Sequence, residues 1–347
     1  MLVDLPNWLG DLVMAMPATD RLIRANQDGT TILHVRHASA GLVSAIFPGA
    51  QVVHSGRGEN PFRTVRRFRR MGPRADIGLT MRNAGRAKVV LRMVSRWSTG
   101  TTSQGGRSLL NWAYEPDFDR HQIHDADAAL ARLGLEGADQ AWRAVLPEAL
   151  IGLGQRVLRE AGVDPDSRPV GLAPGVAAGG SAKQWPGAHF GRLASLLKAG
   201  GFQPVVVIGP GESTVARAVI EASGLDIPVI AEDLDAAGLA AVLSGLSALV
   251  GNDSGPAHLA SALGVATVAL FGPTDEGRTA PMAPDGVILR HQMNCAPCGR
   301  TICPMVHQAC LRDLDPIKVF DAAAGRVDRL SFQNPSSGLQ YGSRSYA

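Results

Sequence analysis

The feature that most limits what this chain can fold into is an alternation of short β-rich runs with helix-patterned stretches, which occurs twice along the sequence. In the first half Leu2–Leu5, Thr31–Val35 and Ile77–Thr80 read as strands, and Asp11–Ala25, Ala38–Phe47 and Phe62–Met71 read as helices. Strands separated by a helix need a crossover connection, which gives a parallel sheet with helices on both faces. A helical stretch at Leu150–Ala161 is followed by the polar, turn-rich VDPDSRP, which reads as an interdomain linker. The second alternation has strands at Val170–Ala173, Pro204–Ile208, Pro228–Ile230, Ala248–Val250 and Ala266–Leu270. The predicted architecture is α/β, with two doubly wound, Rossmann-like domains (residues 1–165 and 166–330) facing a central cleft. Such sheets bind ligands beyond the carboxyl ends of their strands, so the informative residues lie just after strands. The tail 331–347, SFQNPSSGLQYGSRSYA, is polar and rich in Ser and Gly and is expected to be disordered.

With 347 residues and 45% hydrophobic content, the chain can bury two ordinary cores. Its 34 basic and 31 acidic residues leave a net charge of +3, too slight for a whole-surface nucleic-acid or membrane binder. The start, MLVDLPNWLGD, carries two acids and no basic residue and does not resemble a secretory signal, so the expected location is the cytoplasm. The uncharged stretch Ala236–Gly251 is too short to span a bilayer and reads as a buried helix running into a strand. All four cysteines fall between Cys295 and Cys310, which argues for one local cluster rather than a dispersed disulfide framework.

Four strand ends carry residues suited to chemistry. In PNWLGD, after the first strand, Asp11 is placed to point into the cleft; its plainer role is a helix N-cap. A helix N-terminus favours the ionised carboxylate, as a general base requires. In GNDSGPAH, Asp253 or Ser254 can cap a helix, Pro256 suits its first turn and Gly255 lets a ligand approach the backbone. The free amides of that turn suit a diphosphate, and His258, one turn on, faces either the phosphates or the core. In PGVAAGGSAKQWP, Gly175, Gly179, Gly180 and Ser181 precede Lys183, which suits a phosphate cradle with one cation. No Ser or Thr follows the lysine, so this is not the Walker pattern, and its plainer reading is a solvated surface lysine. In GPGE, Glu212 suits ribose hydroxyls or, more plainly, a helix start.

These segments, together with NDSGPAHLASALGVATVALFGPT, resemble the ADP-heptose:lipopolysaccharide heptosyltransferases of glycosyltransferase family 9, from about Leu2 to about Val319. Trp8 before Leu9-Gly10-Asp11 looks more like the second-heptose enzymes than the first-heptose ones. The resemblance implies a GT-B fold and an inverting transfer of heptose from ADP-heptose to heptose I of the lipopolysaccharide inner core, with no cofactor required. It makes Asp11 the catalytic base and assigns donor binding to Gly10, Gly175, Ser181, Lys183, Glu212, Asp253, Ser254, Gly255 and His258. The alternatives are another family 9 transfer, a different GT-B nucleotide-sugar enzyme such as an epimerase, and a non-enzymatic nucleotide-binding assembly protein on the same scaffold.

Between Arg57 and Arg96 there are twelve Lys or Arg and two acids, with Arg63, Arg66 and Arg67 packed around Phe62 and Phe68. No nucleic-acid recognition motif accompanies them. The better-fitting partner is an anionic glycolipid, the lipid A-core acceptor, met at the inner face of the inner membrane, with the phenylalanines touching lipid. Arg63, Arg66, Arg67 and Asn83 are the acceptor candidates, and a solvated basic helix face is the plainer reading. Cys295, Cys298, Cys303 and Cys310, with His307 among them, have enough soft ligands for a structural zinc; reduced or locally paired thiols are the other reading.

Overall fold

A computed structural model describes residues 1–333 apart from 165, 177–179, 231–232 and 283–285. Its first sheet contains β1 (Leu2–Asp4), β2 (Ile32–Arg36), β3 (Gln51–Ser55), β4 (Ala75–Thr80), β5 (Ser95–Thr101) and β6 (Trp112–Tyr114). The second contains β7 (Pro169–Ala173), β8 (Gln203–Val207), β9 (Val229–Ile230), β10 (Ala248–Asn252), β11 (Ala266–Phe271) and β12 (Val287–Arg290). All pairings are parallel, in the orders β3-β2-β1-β4-β5-β6 and β12-β11-β10-β7-β8-β9, so each half repeats one doubly wound topology. Strand order reverses between β1 and β4 and between β7 and β10, and the crevices that open there receive the Asp11 and Asp253 turns.

The helices of the first half are α1 (Leu9–Ala25), α2 (His37–Ile46), α3 (Pro61–Met71), α4 (Gly85–Val94), α5 (Gly106–Leu109) and α6 (Asp127–Arg132). After α7 (Glu148–Glu160) come α8 (Gly187–Ala199), α9 (Ser213–Ser223), α10 (Ala236–Ser244), α11 (Gly255–Ala262), α12 (Glu276–Thr279), α13 (Ala309–Arg312) and α14 (Pro316–Gln333). β10 and β11 are buried at every position, as expected of parallel strands covered on both faces. One apolar cluster runs without a break from Leu12, Met16 and Leu42 of the first half to Val242 and Leu259 of the second. A second, around Trp185, Phe190 and Leu270, fills the other face of the second sheet. Among the described residues no helix is long and apolar enough to cross a membrane.

The sequence reading gave the alternation but left out β3, β5, β6, β12 and α4. Helix α14 continues through Gln333, into the segment expected to be disordered; the rest of that tail lies outside the described residues. Helix α7 packs on α10 so closely that a Cβ on Gly154 would lie 1.9 Å from the backbone oxygen of Ala241. Because that neighbour is backbone, no rotamer change relieves the overlap. Gly154→Ala is expected to lower the unfolding free energy by about 2–3 kcal/mol, read by urea denaturation.

Candidate active site

The geometry is built on two helix N-termini that meet across the cleft. A Cβ on Gly10, in the first turn of α1, would lie 3.0 Å from the His258 ring in α11, and one on Gly255 would lie 2.8 Å from Cβ of Leu9. Glycine at both places lets the helices begin side by side. Asp11 is not the cap of α1: the N-cap is Trp8, which makes no side-chain capping bond, and Asp11 is the third helical residue. Its half-buried carboxylate accepts a hydrogen bond at Oδ1 from Nε2 of Gln122, at 2.9 Å.

On the facing domain, Asp253 is buried and its Oδ2 accepts from Nζ of Lys183 at 2.8 Å, while Nε2 of His258 lies 3.6 Å from its Oδ1. Burial pushes the Asp253 carboxyl up, but His258 and Lys183 together outweigh it and bring the group down to about 2. Ser254 is the N-cap of α11, yet its hydroxyl makes no capping bond and is buried without a partner, as is Nδ1 of His258. His258 thus faces Asp253 and Gly10, with one ring nitrogen unused. Glu212 lies over Gly175, whose Cβ would come within 2.0 Å of its carboxyl, and its Oε2 accepts from the amide of Gly209 at 2.8 Å. Gly175 therefore yields space to a carboxylate. Ser181 is exposed at the head of the 3₁₀ turn Ser181–Lys183, and Gly179 lies outside the described residues.

Several residues that order this site escape the sequence reading. Asn252, fully buried at the end of β10, takes the amide of Trp185 on Oδ1 at 2.9 Å and gives Nδ2 to the carbonyl of Pro174 at 2.8 Å. One side chain thus ties the strand that precedes Asp253 to both ends of the lysine loop. Its signal was its place at a strand end, ahead of Asp253. The 3₁₀ turn Gln122–Ala126, which carries Gln122, is itself held by the second domain. Nη2 of Arg278 spans both oxygens of Asp125 at 2.7 and 2.8 Å, and Nε2 of His121 donates to the carbonyl of Ala280 at 2.8 Å. Burial raises the Asp125 carboxyl against the pull of Arg278, with the Asp11 charge adding to the rise.

The first domain holds a cavity of about 500 Å³, lined among others by Asn7 and Asp4. Asp4 takes Nδ1 of His34 at 2.7 Å and the Thr80 hydroxyl at 2.8 Å and lies 3.1 Å from Nε of Arg82. Nε2 of His34 continues to Oγ of Ser55 at 2.7 Å. Burial would raise the Asp4 carboxyl, but Arg82, His34 and Thr80 hold it below the ordinary range. Nη2 of Arg82 is buried and has no partner, and Arg36 and Arg86 also line the cavity. Of the four expected acceptor residues only Asn83 lines it. Arg63 and Arg66 point to solvent on α3, and Arg67 is committed to Glu59, 2.9 Å away, and to the carbonyl of His54. Phe62 is 72% exposed, whereas Phe68 is buried against His34 and lines the cavity.

The four cysteines are free thiols, and burial followed by the charges of the other three raises the Cys310 thiol. Among the described residues no three His, Cys, Asp or Glu side chains are grouped to hold a metal, so the zinc site admitted by the spacing is not assembled.

Two doubly wound sheets, with Asp11 after the first strand of one and Lys183 and the Asp253 turn after strands of the other, make a GT-B fold. The family described as Glycosyltransferase family 9 (heptosyltransferase) matches residues 64–308, and the chain belongs to it. It is similar to a Campylobacter jejuni lipooligosaccharide heptosyltransferase 2, 24% identical over 327 residues, covering 92% of this chain and 96% of the relative. A Pseudomonas aeruginosa lipopolysaccharide heptosyltransferase 1 is 37% identical over 121 residues, covering 35% of this chain and 34% of the relative. Among solved structures, E. coli ADP-heptose lps heptosyltransferase II superposes with a TM-score of 0.79 at 19% identity, covering 95% of this chain and 99% of the other.

The depressed Asp253 has a consequence for stability. A carboxyl whose folded value, about 2, lies below its unfolded value contributes stability that is present above the unfolded value and lost as pH falls through the folded one. The excess stability of the protein over Asp253→Asn is therefore expected to shrink by more than about 1 kcal/mol between about pH 5 and about pH 2.5. Denaturant titrations of both proteins at the two pH values check it.

Proposed function

We propose that the protein transfers heptose from ADP-L-glycero-D-manno-heptose to heptose I of the lipopolysaccharide inner core, with inversion and without a metal. Residues 1–165 bind the acceptor and 166–330 the donor. The observation that carries this reading is the meeting of α1 and α11, in which Leu9 and Gly10, next to Asp11 along the chain, lie against Gly255 and His258. With Gln122 on Oδ1, the other oxygen of Asp11 is left to take the proton of an acceptor hydroxyl as that hydroxyl attacks the anomeric carbon from the face opposite ADP. The bond to the departing β-phosphate oxygen breaks with inversion. Lys183 and the amides around Ser254 and Gly255 stabilise the charge that ADP gains, and Glu212 contacts its ribose. Gly10, Gly175 and His258 shape the donor side, and Ser181 opens the lysine turn.

The acceptor, an anionic glycolipid, enters the first domain's cavity, where the unpaired Nη2 of Arg82, with Arg36, Arg86 and Asn83, meets its carboxylate or phosphate groups. The exposed basic face of α3, with Arg63, Arg66 and Phe62, rests on the cytoplasmic surface of the inner membrane. A different heptose position is the second reading, favoured by the match to a first-heptose enzyme over 121 residues.

Asp11→Asn is expected to bind ADP-heptose as the parent does while turnover falls by about 10²–10⁴-fold, the usual worth of a general base. Unchanged ADP release with the truncated-core acceptor would remove the assignment, and the mass and linkage of the product identify the heptose position. Arg82→Lys keeps the charge but not the second donor. Its acceptor KM is expected to rise about tenfold with the donor KM unmoved, in steady-state kinetics.

A further inference from the structure

The cysteine-bearing loop, residues 295–310, has no part in the mechanism above, yet it packs on the segment that carries Lys183. The carbonyl of Thr301 accepts the amide of Ala182 at 3.1 Å. Nε2 of Gln308 donates to the carbonyls of Ser181, at 2.5 Å, and Gln184, at 3.0 Å. These bonds grip the turn Ser181–Lys183 from both ends. Gly180, at φ 82°, lies where a Cβ would be 2.2 Å from the Thr301 oxygen, so only glycine admits this contact. The loop also holds the turn after β11, since the amides of Cys298 and Gly299 donate to the carbonyl of Pro273 at 2.9 and 2.7 Å. Gln308, which makes two of these bonds, adopts a left-handed backbone conformation, φ 47°.

We infer that loop 295–310 supports the donor-binding lysine, with Gln308 as a positioning residue that fixes the Ser181–Gln184 backbone and so aims Lys183 at the diphosphate. The inference rests on reading Lys183 as the diphosphate contact. A three-residue 3₁₀ turn has little internal stability, and a lysine on it reaches a phosphate at a fixed point only if its backbone is held from outside. Asn252 holds the flanks of the wider loop, through Pro174 and Trp185, and Gln308 holds the turn itself, through Ser181 and Gln184.

Calorimetric titration with ADP and, separately, with adenosine tests the inference, because adenosine lacks the phosphates that Lys183 meets. Gln308→Ala and the near-isosteric Gln308→Glu, which cannot donate, are expected to weaken ADP about tenfold and leave adenosine within about twofold. Lys183→Ala is expected to weaken ADP at least as much, and adding Gln308→Ala to it to cost little more, since both act through one ammonium. Unchanged ADP affinity in both Gln308 variants overturns the inference. So does a parallel loss of ADP and adenosine, which marks a general structural role, and so does a full second loss in the Lys183→Ala background. If Lys183→Ala binds ADP like the parent, the reading of Lys183 fails and the inference falls with it, whatever Gln308 does.

Discussion

The arrangement of this enzyme depends on the close approach of two helix N-termini, α1 and α11, permitted by glycine at positions 10 and 255. Helix ends concentrate unsatisfied amides and a partial positive charge, and two of them facing each other would repel unless anions lay between. The chain supplies one anion on each side, Asp11 and Asp253, and leaves the Ser254 hydroxyl and a His258 nitrogen unbonded in the same place. The Asp253 carboxylate is answered by Lys183 and His258, whereas Asp11 has the neutral amide of Gln122. That difference in partners matches the roles proposed for them: the first carboxylate organises a cation, and the second, as the proposed base, has only a neutral partner.

The second-domain side of the cleft is ordered by polar side chains that bond to backbone. Asn252 and Gln308 each spend their amide on loop atoms, and Trp185 adds Nε1 to the carbonyl of Leu314 at 3.1 Å. The backbone atoms fastened in this way, at Pro174, Ser181, Gln184 and Trp185, have few other positions. In the first domain the corresponding order is ionic, a chain from Arg82 and Asp4 through His34 to Ser55. The two domains therefore use different means for similar ends. A neutral amide clamp leaves the donor loop without added charge beside a diphosphate, and the ionic chain leaves one guanidinium nitrogen facing an anion-sized cavity.

The sequence made legible what is local and periodic. Strands β1, β2, β4, β7, β8, β10 and β11 stand out because central parallel strands are apolar runs between helices, and the ligand turns follow from the rule that sheets bind beyond their carboxyl ends. The edge strands of the first sheet did not stand out: β6 is three residues long, and QVVHS of β3 is half exposed, so neither has a clear pattern. Charge density alone does not tell which face meets a cavity. Arg82, in a sparser part of the basic stretch than the α3 arginines, is set apart only by Asp4, far away along the chain. The roles of Gln122 and Gln308 were out of reach for the same reason, since a glutamine has no pattern and its meaning lies in which carbonyls or carboxylates the fold brings to it.

How firmly the two domains are held in register follows from the kinds of contact between them. The continuous apolar cluster through α1, α2, α10 and α11 provides the area, but apolar packing tolerates small rotations because it has little direction. Direction comes from the rim, where Arg278 meets Asp125 and His121 meets Ala280 on the 3₁₀ turn that also carries Gln122. A half-buried ion pair of this kind adds little net stability, because desolvation offsets most of the Coulomb gain. Its effect is geometric: a two-pronged bond is satisfied at one angle between the domains, and at that angle Gln122 reaches Oδ1 of Asp11. The Asp11 carboxylate is thus oriented by the same contacts that fix the angle between the domains, so the proposed base and the proposed donor turn come into alignment together.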